Sequence, residues 1–253
     1  YEAVLAMCDA NLKRVLDAMD RYDLWKDTML IVNTDHGFLL SEHGQWAKCH
    51  CPFYEEVSHT PLFVWDPRSA VCGERRSALV QTIDLPATLL EFFGLPLPPD
   101  MQGRPLRKVI ENDSPIRDGV LFGLFGGQIN CTDGKYLYLR SPIDNDTPRY
   151  EYTLMPTRHG GRRAFIDNAL LEQATLVPPL SFTKNVPVLR IPHTASVQQA
   201  AYPTALYHLS QGDTALQDTS QEQRMAALML RLLQASNCPP EQYVRMGFEP
   251  ALH

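Results

Sequence analysis

The chain has 253 residues, 44% of them hydrophobic and 21% charged, which is enough apolar material for one large domain or for a large domain and a small one. Its 23 basic and 29 acidic residues are scattered without a Lys/Arg run, so the net charge of −6 argues against a nucleic-acid partner. No stretch approaches the roughly 18 consecutive apolar residues that cross a bilayer, and we expect no membrane partner.

The first part of the chain predicts alternating helices and strands. Apolar residues recur at helical spacing from Tyr1 to Arg21, which predicts an amphipathic helix whose apolar face needs a sheet to cover it. The apolar run 29–32 is typical of a strand buried on both faces of a parallel sheet, and 61–65 predicts a second inner strand. Asp84 is predicted to cap a helix that extends to Phe93. This alternation indicates an α/β fold.

The pattern changes between residues 112 and 119, and we therefore predict two domains, 1–115 and 116–253. Short apolar segments at 120–125, 128–132 and 135–139 are separated by Gly-Gly and Asp-Gly turns, which predicts a small antiparallel sheet.

Two further segments complete the second domain. Residues 141–203 are rich in proline and polar residues, which predicts mostly long loops with a short helix near 164–174. Ser220 and Gln223 match a capping box for a closing helix. The apolar face of that helix is predicted to pack on the small sheet and comprises Met225, Leu228, Met229, Leu232 and Leu233.

The six cysteines show no regular framework, and a chain of this length needs no disulfides for stability, so we expect reduced thiols. The cellular compartment stays open, with the cytoplasm slightly favoured over the periplasm or secretion. Self-association into a homo-oligomer stays open as well.

Asp35 and His36 follow the run 29–32 directly, and ligands gather at the carboxyl ends of strands in open α/β sheets. A carboxylate and an imidazole on adjacent residues can share one cation, because a turn at Gly37 lets both side chains converge. The alternative is structural: Asp35 caps the next turn and His36 satisfies a local hydrogen bond.

The segment 34–48, Thr-Asp-His-Gly-Phe-Leu-Leu-Ser-Glu-His-Gly-Gln-Trp-Ala-Lys, and the segment 52–62, Pro-Phe-Tyr-Glu-Glu-Val-Ser-His-Thr-Pro-Leu, resemble the second metal-site segment of the sulfatase family. Residues 81–91 and 101–106 also resemble that family, and Asp133–Tyr138 and Ala205–Leu209 resemble its C-terminal subdomain. The resemblance implies an alkaline-phosphatase-like parallel or mixed sheet with flanking helices, followed by a small C-terminal antiparallel sheet and helix.

The resemblance implies that Asp35 and His36 supply part of a divalent-cation site, whose other ligands are two upstream acidic residues and the nucleophile. Oxygen ligands favour Ca²⁺ or Mg²⁺, with Ca²⁺ first, and the imidazole leaves room for Mn²⁺. Many sulfatases have asparagine at the position of His36. Histidine at this position is similar to the branch that contains phosphonate and phosphodiester hydrolases as well as some sulfatases, so the transferred anion is either sulfate or phosphate.

Lys48 matches the family lysine that approaches the substrate anion, where a fixed positive charge stabilises the transition state. The spacing around Ala47-Lys-Cys-His-Cys51 is altered, so His50 is an alternative for that role. His59 stands where many relatives have arginine and is a candidate for substrate contact or proton transfer. A structural zinc site at Cys49-His50-Cys51 is not expected, since paired zinc ligands need at least two intervening residues.

The family motif Cys/Ser-x-Pro-x-Arg, whose first residue becomes formylglycine, does not occur in the sequence; Ser114-Pro-Ile-Arg117 places proline one position early. We therefore expect the formylglycine to lie in an upstream segment and this chain to be inactive alone, with that N-terminal portion as its partner. The leading hypothesis is hydrolysis of a small-molecule or saccharide sulfate ester. A phosphodiester or phosphonate monoester hydrolase and a catalytically silent binding module are the alternatives.

Overall fold

The computed structural model describes residues 1–48, 51–69, 71–143, 147–157, 166–193, 202–212 and 214–248. The α-helices are α1 (Glu2–Arg21), α2 (Glu55–Ser58), α3 (Asp84–Phe92), α4 (Arg107–Asn112), α5 (Asn168–Leu171), α6 (Thr219–Ala235) and α7 (Pro240–Arg245). The strands are β1 (Leu30–Asn33), β2 (Leu39–Leu40), β3 (Trp46–Ala47), β4 (Leu62–Trp65), β5 (Val120–Gly123), β6 (Ile129–Thr132), β7 (Tyr136–Arg140), β8 (Arg149–Thr153), β9 (Thr175–Val177), β10 (Val188–His193) and β11 (Ala205–His208).

Helix α1 and strands β1 and β4 form where the hydrophobic pattern predicts them, and the α/β class is confirmed. The pairing of β1 differs from the prediction, because β4 runs antiparallel to it, with Asn33 opposite Leu62. The intervening segment 34–61 returns the chain to the end of β1 that it left, so the connection is a long hairpin and not a crossover. Within the described residues this sheet has two strands, and both are only partly buried.

The apolar face of α1 stays largely exposed. Met19 is buried, whereas Val4, Leu5 and Val15 are 60%, 58% and 46% exposed. A helix with an uncovered apolar stripe gains little stability from burial, so this face is suited to packing against another element. No helix in the described ranges has the length and apolar character to cross a membrane.

The predicted small antiparallel sheet is present and has four strands in the order β11-β7-β6-β5. One face packs on α6, as predicted, around a core of Cys131, Tyr138, Leu206, Met225, Met229 and Leu233. Residues 225, 229 and 233 lie one helical turn apart, so α6 presents all three to the sheet, and each contributes roughly 1.5–3 kcal/mol by burial.

The N-terminus of α6 is capped differently from the prediction. The side chain of Asp218 accepts a hydrogen bond from the backbone N–H of Gln221 at 3.0 Å, whereas Ser220 already lies inside the helix. The capping-box prediction from Ser220 and Gln223 is therefore wrong by two residues. Asp218 competes successfully because its carboxylate also interacts favourably with the positive end of the helix dipole.

The opposite face of the small sheet meets the first part of the chain. Side chains alternate across a sheet, so Phe122 and Tyr207 point away from α6 when their neighbours Leu121 and Leu206 pack towards it. Phe122 contacts Phe53 edge-to-face at 6.5 Å between ring centroids, and Tyr207 contacts Tyr54 at 6.3 Å. These contacts place the small sheet directly behind the segment 52–58.

The segment 141–203 contains more regular structure than its composition predicts. The short helix is present as α5, but β8, β10 and β9 form a three-stranded antiparallel sheet where loops were expected. The sequence did not predict β10, because proline at position 192 is unfavourable within a strand. It is tolerated because β9 pairs only with residues 188–190 of β10, so Pro192 lies beyond the reach of that neighbour.

A buried carboxylate connects α3 to the chain that enters β5. Asp84 is fully buried and accepts hydrogen bonds from the backbone N–H groups of Gln81 and Arg104, both at 2.8 Å. The guanidinium of Arg117 binds both carboxylate oxygens. Asp84 is the first residue of α3, whose N-cap is Ile83, so the prediction that Asp84 caps this helix is wrong by one position. Its carboxylate instead joins three segments of the chain.

Two glycines permit close backbone approaches that any side chain would block. A Cβ on Gly103 would overlap the carbonyl oxygen of Ile83, next to the buried Asp84. A Cβ on Gly37 would overlap the carbonyl oxygen of Glu56, and the backbone N–H of Gly37 donates to the carbonyl of Val57 at 2.9 Å. Glycine at position 37 therefore allows the chain after β1 to lie directly on α2.

We expect Arg117→Met to lower the free energy of unfolding by about 3–5 kcal/mol, because it leaves the buried carboxylate of Asp84 without a counter-charge. Arg231→Met is the matched control, since the ion pair between Arg231 and Asp118 is exposed and should contribute about 1 kcal/mol or less. Urea unfolding at neutral pH measures both values. Equal, small losses in the two variants would contradict the role of Asp84.

Gly37→Ala should destabilise the chain by at least the ~1–3 kcal/mol typical of overpacking, because its Cβ meets backbone that cannot rotate away. Gly119→Ala is the control, since its Cβ would meet only the flexible ends of Leu228 and Leu232, at 3.1–3.2 Å. Thermal unfolding compares the two variants. A drop in melting temperature for Gly37→Ala no larger than for Gly119→Ala would show that α2 moves readily and does not constrain the loop.

Candidate metal and anion site

The site residues lie on the segment 35–48, here called the site loop, which starts just past the carboxyl end of β1. Strands β2 and β3 pair antiparallel within it, with Leu39 opposite Ala47. This small hairpin returns the chain towards its own start. Lys48 is thereby brought to His36, although twelve positions separate them in sequence.

Asp35 and His36 converge as the adjacent-ligand hypothesis requires. The Oδ2 atom of Asp35 lies 3.3 Å from the Nε2 atom of His36. The carboxylate is 83% exposed and the imidazole 33% exposed, so both face open space and are accessible to a cation. The two donors fit one part of a coordination sphere, an oxygen and a nitrogen on neighbouring residues.

The tautomer of His36 follows from its partners. Its Nδ1 lies 2.8 Å from the carbonyl oxygen of Gly37, and since a carbonyl can only accept, Nδ1 carries the proton. The lone pair on Nε2 is then directed to the side of Asp35, where it accepts from the ammonium of Lys48. A histidine held in this way presents the nitrogen that binds a metal ion.

Asp35 is held in its ionised form. Slight burial disfavours the charge, but His36, backbone N–H groups and the Lys48 ammonium outweigh it and keep the pKa of Asp35 below its ordinary value. One of those N–H groups belongs to His36 and donates to Oδ1 at 3.1 Å. The structural role that the sequence left open for Asp35 is therefore compatible with ligation through its other oxygen.

His43 anchors the site loop to the segment after it. Its ring stacks on Tyr54 with 3.7 Å between centroids and an interplanar angle of 14°. Its Nε2 lies 3.2 Å from a carboxylate oxygen of Glu56, and the side chain is only 13% exposed. Burial raises the pKa of Tyr54 to about 12, so its ring is neutral at physiological pH.

His59 lies at the end of α2, where its Nδ1 is 2.8 Å from a carboxylate oxygen of Glu55. This hydrogen bond raises the pKa of His59. Within the described residues, no hydrogen bond or ion pair joins His59 to Asp35, His36 or Lys48. A part in catalysis for His59 thus stays a prediction.

Most of the segment 49–51, where the sequence offers alternative site residues, lies outside the described residues. Cys49 and His50 are not among the described residues, so the alternative role of His50 stays a prediction. Cys51 is buried in a small cluster with Leu39 and Val57. Across the described ranges, no group of three or more His, Cys, Asp or Glu side chains is arranged to hold a metal ion.

Sequence reasoning did not single out the residues that support the site loop. Tyr54 and Glu56 flank His43. Arg117, which ends the near-match to the activation motif at 114–117, is bound to the buried Asp84. Tyr54 and Glu56 lie inside the segment 52–62. The sequence signal that could have identified them is a bulky aromatic residue followed by two acidic residues at the start of a short helix.

Comparison with known proteins shows which family the first part of the chain resembles. Residues 1–95 match the family model described as Sulfatase. N-acetylglucosamine-6-O-sulfatase of Bacteroides thetaiotaomicron is 33% identical over 113 residues, which cover 45% of this chain and 20% of that protein. Human arylsulfatase K is 35% identical over 103 residues, covering 41% and 19%. The aligned part thus spans about a fifth of the length of these curated relatives.

Solved structures extend the likeness to nearly the whole chain. A protein solved with its substrate, D-glucosamine-2-N,6-O-disulfate, has a TM-score of 0.57 and 17% identity, covering 96% of this chain and 39% of that one. The phosphonate monoester hydrolase of Silicibacter pomeroyi has a TM-score of 0.58 and 17% identity, covering 90% and 39%. At these identities the likeness establishes the fold, including the small C-terminal sheet. Residues 1–95 are therefore similar to the sulfatase family, and the chain shares the fold of these solved structures.

Proposed function

We propose that this chain carries two cation ligands and the anion-stabilising lysine of a metal-dependent sulfate ester hydrolase. The observation that carries the proposal is the convergence of Asp35, His36 and Lys48 at one imidazole nitrogen, on a segment that matches the sulfatase model. A carboxylate, an imidazole and an ammonium together suit a divalent cation with a bound anion beside it.

Asp35 and His36 would hold Ca²⁺, with Mg²⁺ or Mn²⁺ as alternatives. One exposed carboxylate oxygen and one Nε2 lone pair cannot saturate such an ion, so they form part of its ligand set. The resemblance to the sulfatase family implies that the remaining ligands and the formylglycine come from segments that precede the site loop. A divalent cation in such a site neutralises charge on the transferred sulfuryl group and holds the nucleophile.

The other residues act around that pair. Lys48 now donates to the same Nε2 lone pair that ligation would use, so when His36 serves as a ligand the ammonium would turn to the oxygens of the substrate anion. The Nδ1–H of His36 stays bound to the carbonyl of Gly37 and keeps the ring oriented. His59 is proposed as a second group for the substrate, from its position at the end of α2.

A sulfated saccharide is the proposed substrate class. The relative from Bacteroides thetaiotaomicron is named for a 6-O-sulfated amino sugar, and one structural neighbour was solved with a disulfated glucosamine. Both names describe sulfate groups on an amino sugar, so they favour a sulfated sugar as substrate over a nucleotide or a lipid.

Further segments of the sulfatase fold are proposed partners of this chain. The structural neighbours match it over only 39% of their own length. The exposed apolar stripe of α1 and the unpaired edges of the β1–β4 sheet are the surfaces on which such segments would pack.

In the full-length protein, Asp35→Ala should reduce metal-dependent sulfate ester hydrolysis at least about 100-fold while the melting temperature changes little, since it removes an exposed ligand. Asp17→Ala is the control, because it removes an equally charged carboxylate from the exposed surface of α1. Initial rates on an aryl sulfate with and without added Ca²⁺ measure the effect. Wild-type turnover in the Asp35 variant would refute the ligand assignment.

Comparing aryl sulfate with aryl phosphonate monoester separates the leading function from its enzyme alternative. A sulfatase should show the larger kcat/KM on the sulfate, because the site then complements the three non-bridging oxygens of the transferred sulfuryl group, one of which a phosphonate replaces with a carbon substituent. Preference for the phosphonate would establish the phosphonate hydrolase alternative. Absence of turnover on both, with cation binding also absent, would support a silent binding module.

A further inference from the structure

The backbone of the site loop adopts conformations that need external support. Ser41, His43 and Ala47 have φ values of 103°, 54° and 78°, which lie in the left-handed region that favours glycine. Such residues persist only where their surroundings over-determine them. The position of Lys48, directly after Ala47, therefore depends on contacts made outside the hairpin.

His43 provides the main external contact of the loop. Its ring lies between Glu56 and Tyr54, at the end of the hairpin opposite the contact between His36 and Lys48. Tyr54 is partly buried and the His43 side chain is only 13% exposed, so much of this ring stack is shielded from water. Movement of Tyr54 would be transmitted through His43 to both ends of the hairpin.

Tyr54 is in turn supported by the small C-terminal sheet. Tyr207 of β11 contacts the Tyr54 ring at 6.3 Å and 78°, and Phe122 of β5 contacts the adjacent Phe53 at 6.5 Å and 87°. Edge-to-face pairs of this kind have a preferred geometry in addition to their buried area. The face of the sheet opposite α6 is thus a platform for the segment that holds His43.

We propose that Tyr207 is a positioning residue, which acts through Tyr54 and His43 to hold His36 and Lys48 in register for cation and anion binding. This inference rests on the proposed function, since it assigns the C-terminal sheet a part in that same site. It makes the affinity of the site for a cation depend on a residue about 160 positions away in sequence.

The test uses the full-length protein, which would supply the remaining cation ligands, and Mn²⁺ as the probe. Tyr207→Leu should weaken Mn²⁺ binding by about tenfold, the lower end of the effect of lost support behind metal ligands. Tyr136→Leu is the matched control, because Tyr136 lies in the same sheet but packs on the α6 side. Its dissociation constant should stay within about twofold of wild type at a similar melting temperature.

Chemical shifts at fixed pH supply a readout that needs no metal. The His36 imidazole ¹⁵N and Lys48 side-chain signals should move in Tyr207→Leu and in His43→Gln, and the double variant should move no further, because both act along one chain of contacts. Tyr136→Leu should leave these signals in place. His43→Gln also serves if Tyr207→Leu fails to fold.

Unchanged His36 and Lys48 signals in Tyr207→Leu and His43→Gln would overturn the positioning role, whatever the metal affinity. Equal losses of affinity in Tyr207→Leu and Tyr136→Leu would also overturn it, since a general loss of stability would then account for both. Absence of Mn²⁺ binding in the wild-type full-length protein would count against the proposed ligand set instead, and the chemical shifts would still decide the role of Tyr207.

Discussion

The buried carboxylate of Asp84 is the interaction on which the arrangement of the two parts depends. An ionised group without exposure is tolerable only when every oxygen is paired, and here Arg117 and two backbone N–H groups satisfy it. The close approach of Gly103 to Ile83 brings one of those N–H groups into position. Three separate segments are thereby fixed to the start of α3.

The position of the small sheet follows from that junction. Arg117 lies three residues before β5, so its attachment to Asp84 determines where the first strand of the sheet begins. The side chain of Gln81 adds a hydrogen bond to the carbonyl of Leu121 at 3.1 Å. With β5 held there, one face of the sheet is covered by α6, and the other reaches Phe53 and Tyr54.

The site itself combines a local motif with distant support. Asp35 and His36 are adjacent in sequence, and the β2–β3 hairpin returns Lys48 to them, so the chemistry is encoded within fifteen residues. The hairpin contains three non-glycine residues in left-handed conformations, which are unfavourable without compensation. Contacts of Gly37 and His43 with the segment 54–57 supply that compensation.

Local sequence by itself determined the elements whose pattern repeats along the chain: α1, the strand that precedes Asp35, three of the four strands of the small sheet (β5, β6 and β7) and the apolar face of α6. It also determined the candidate ligands, because their residue types and spacing are contiguous. Hydrophobic periodicity and short motifs are local properties, so they can be read without knowledge of the partner segments.

Only the tertiary structure decided which segments meet. The antiparallel pairing of β1 with β4, the pairing of β8 with β10, and the Asp84–Arg117 pair all join residues that lie roughly 30–45 positions apart. The contact between Tyr54 and Tyr207 spans a greater distance still. Such pairings are selected by burial and by the satisfaction of polar groups in three dimensions, and no local pattern specifies them.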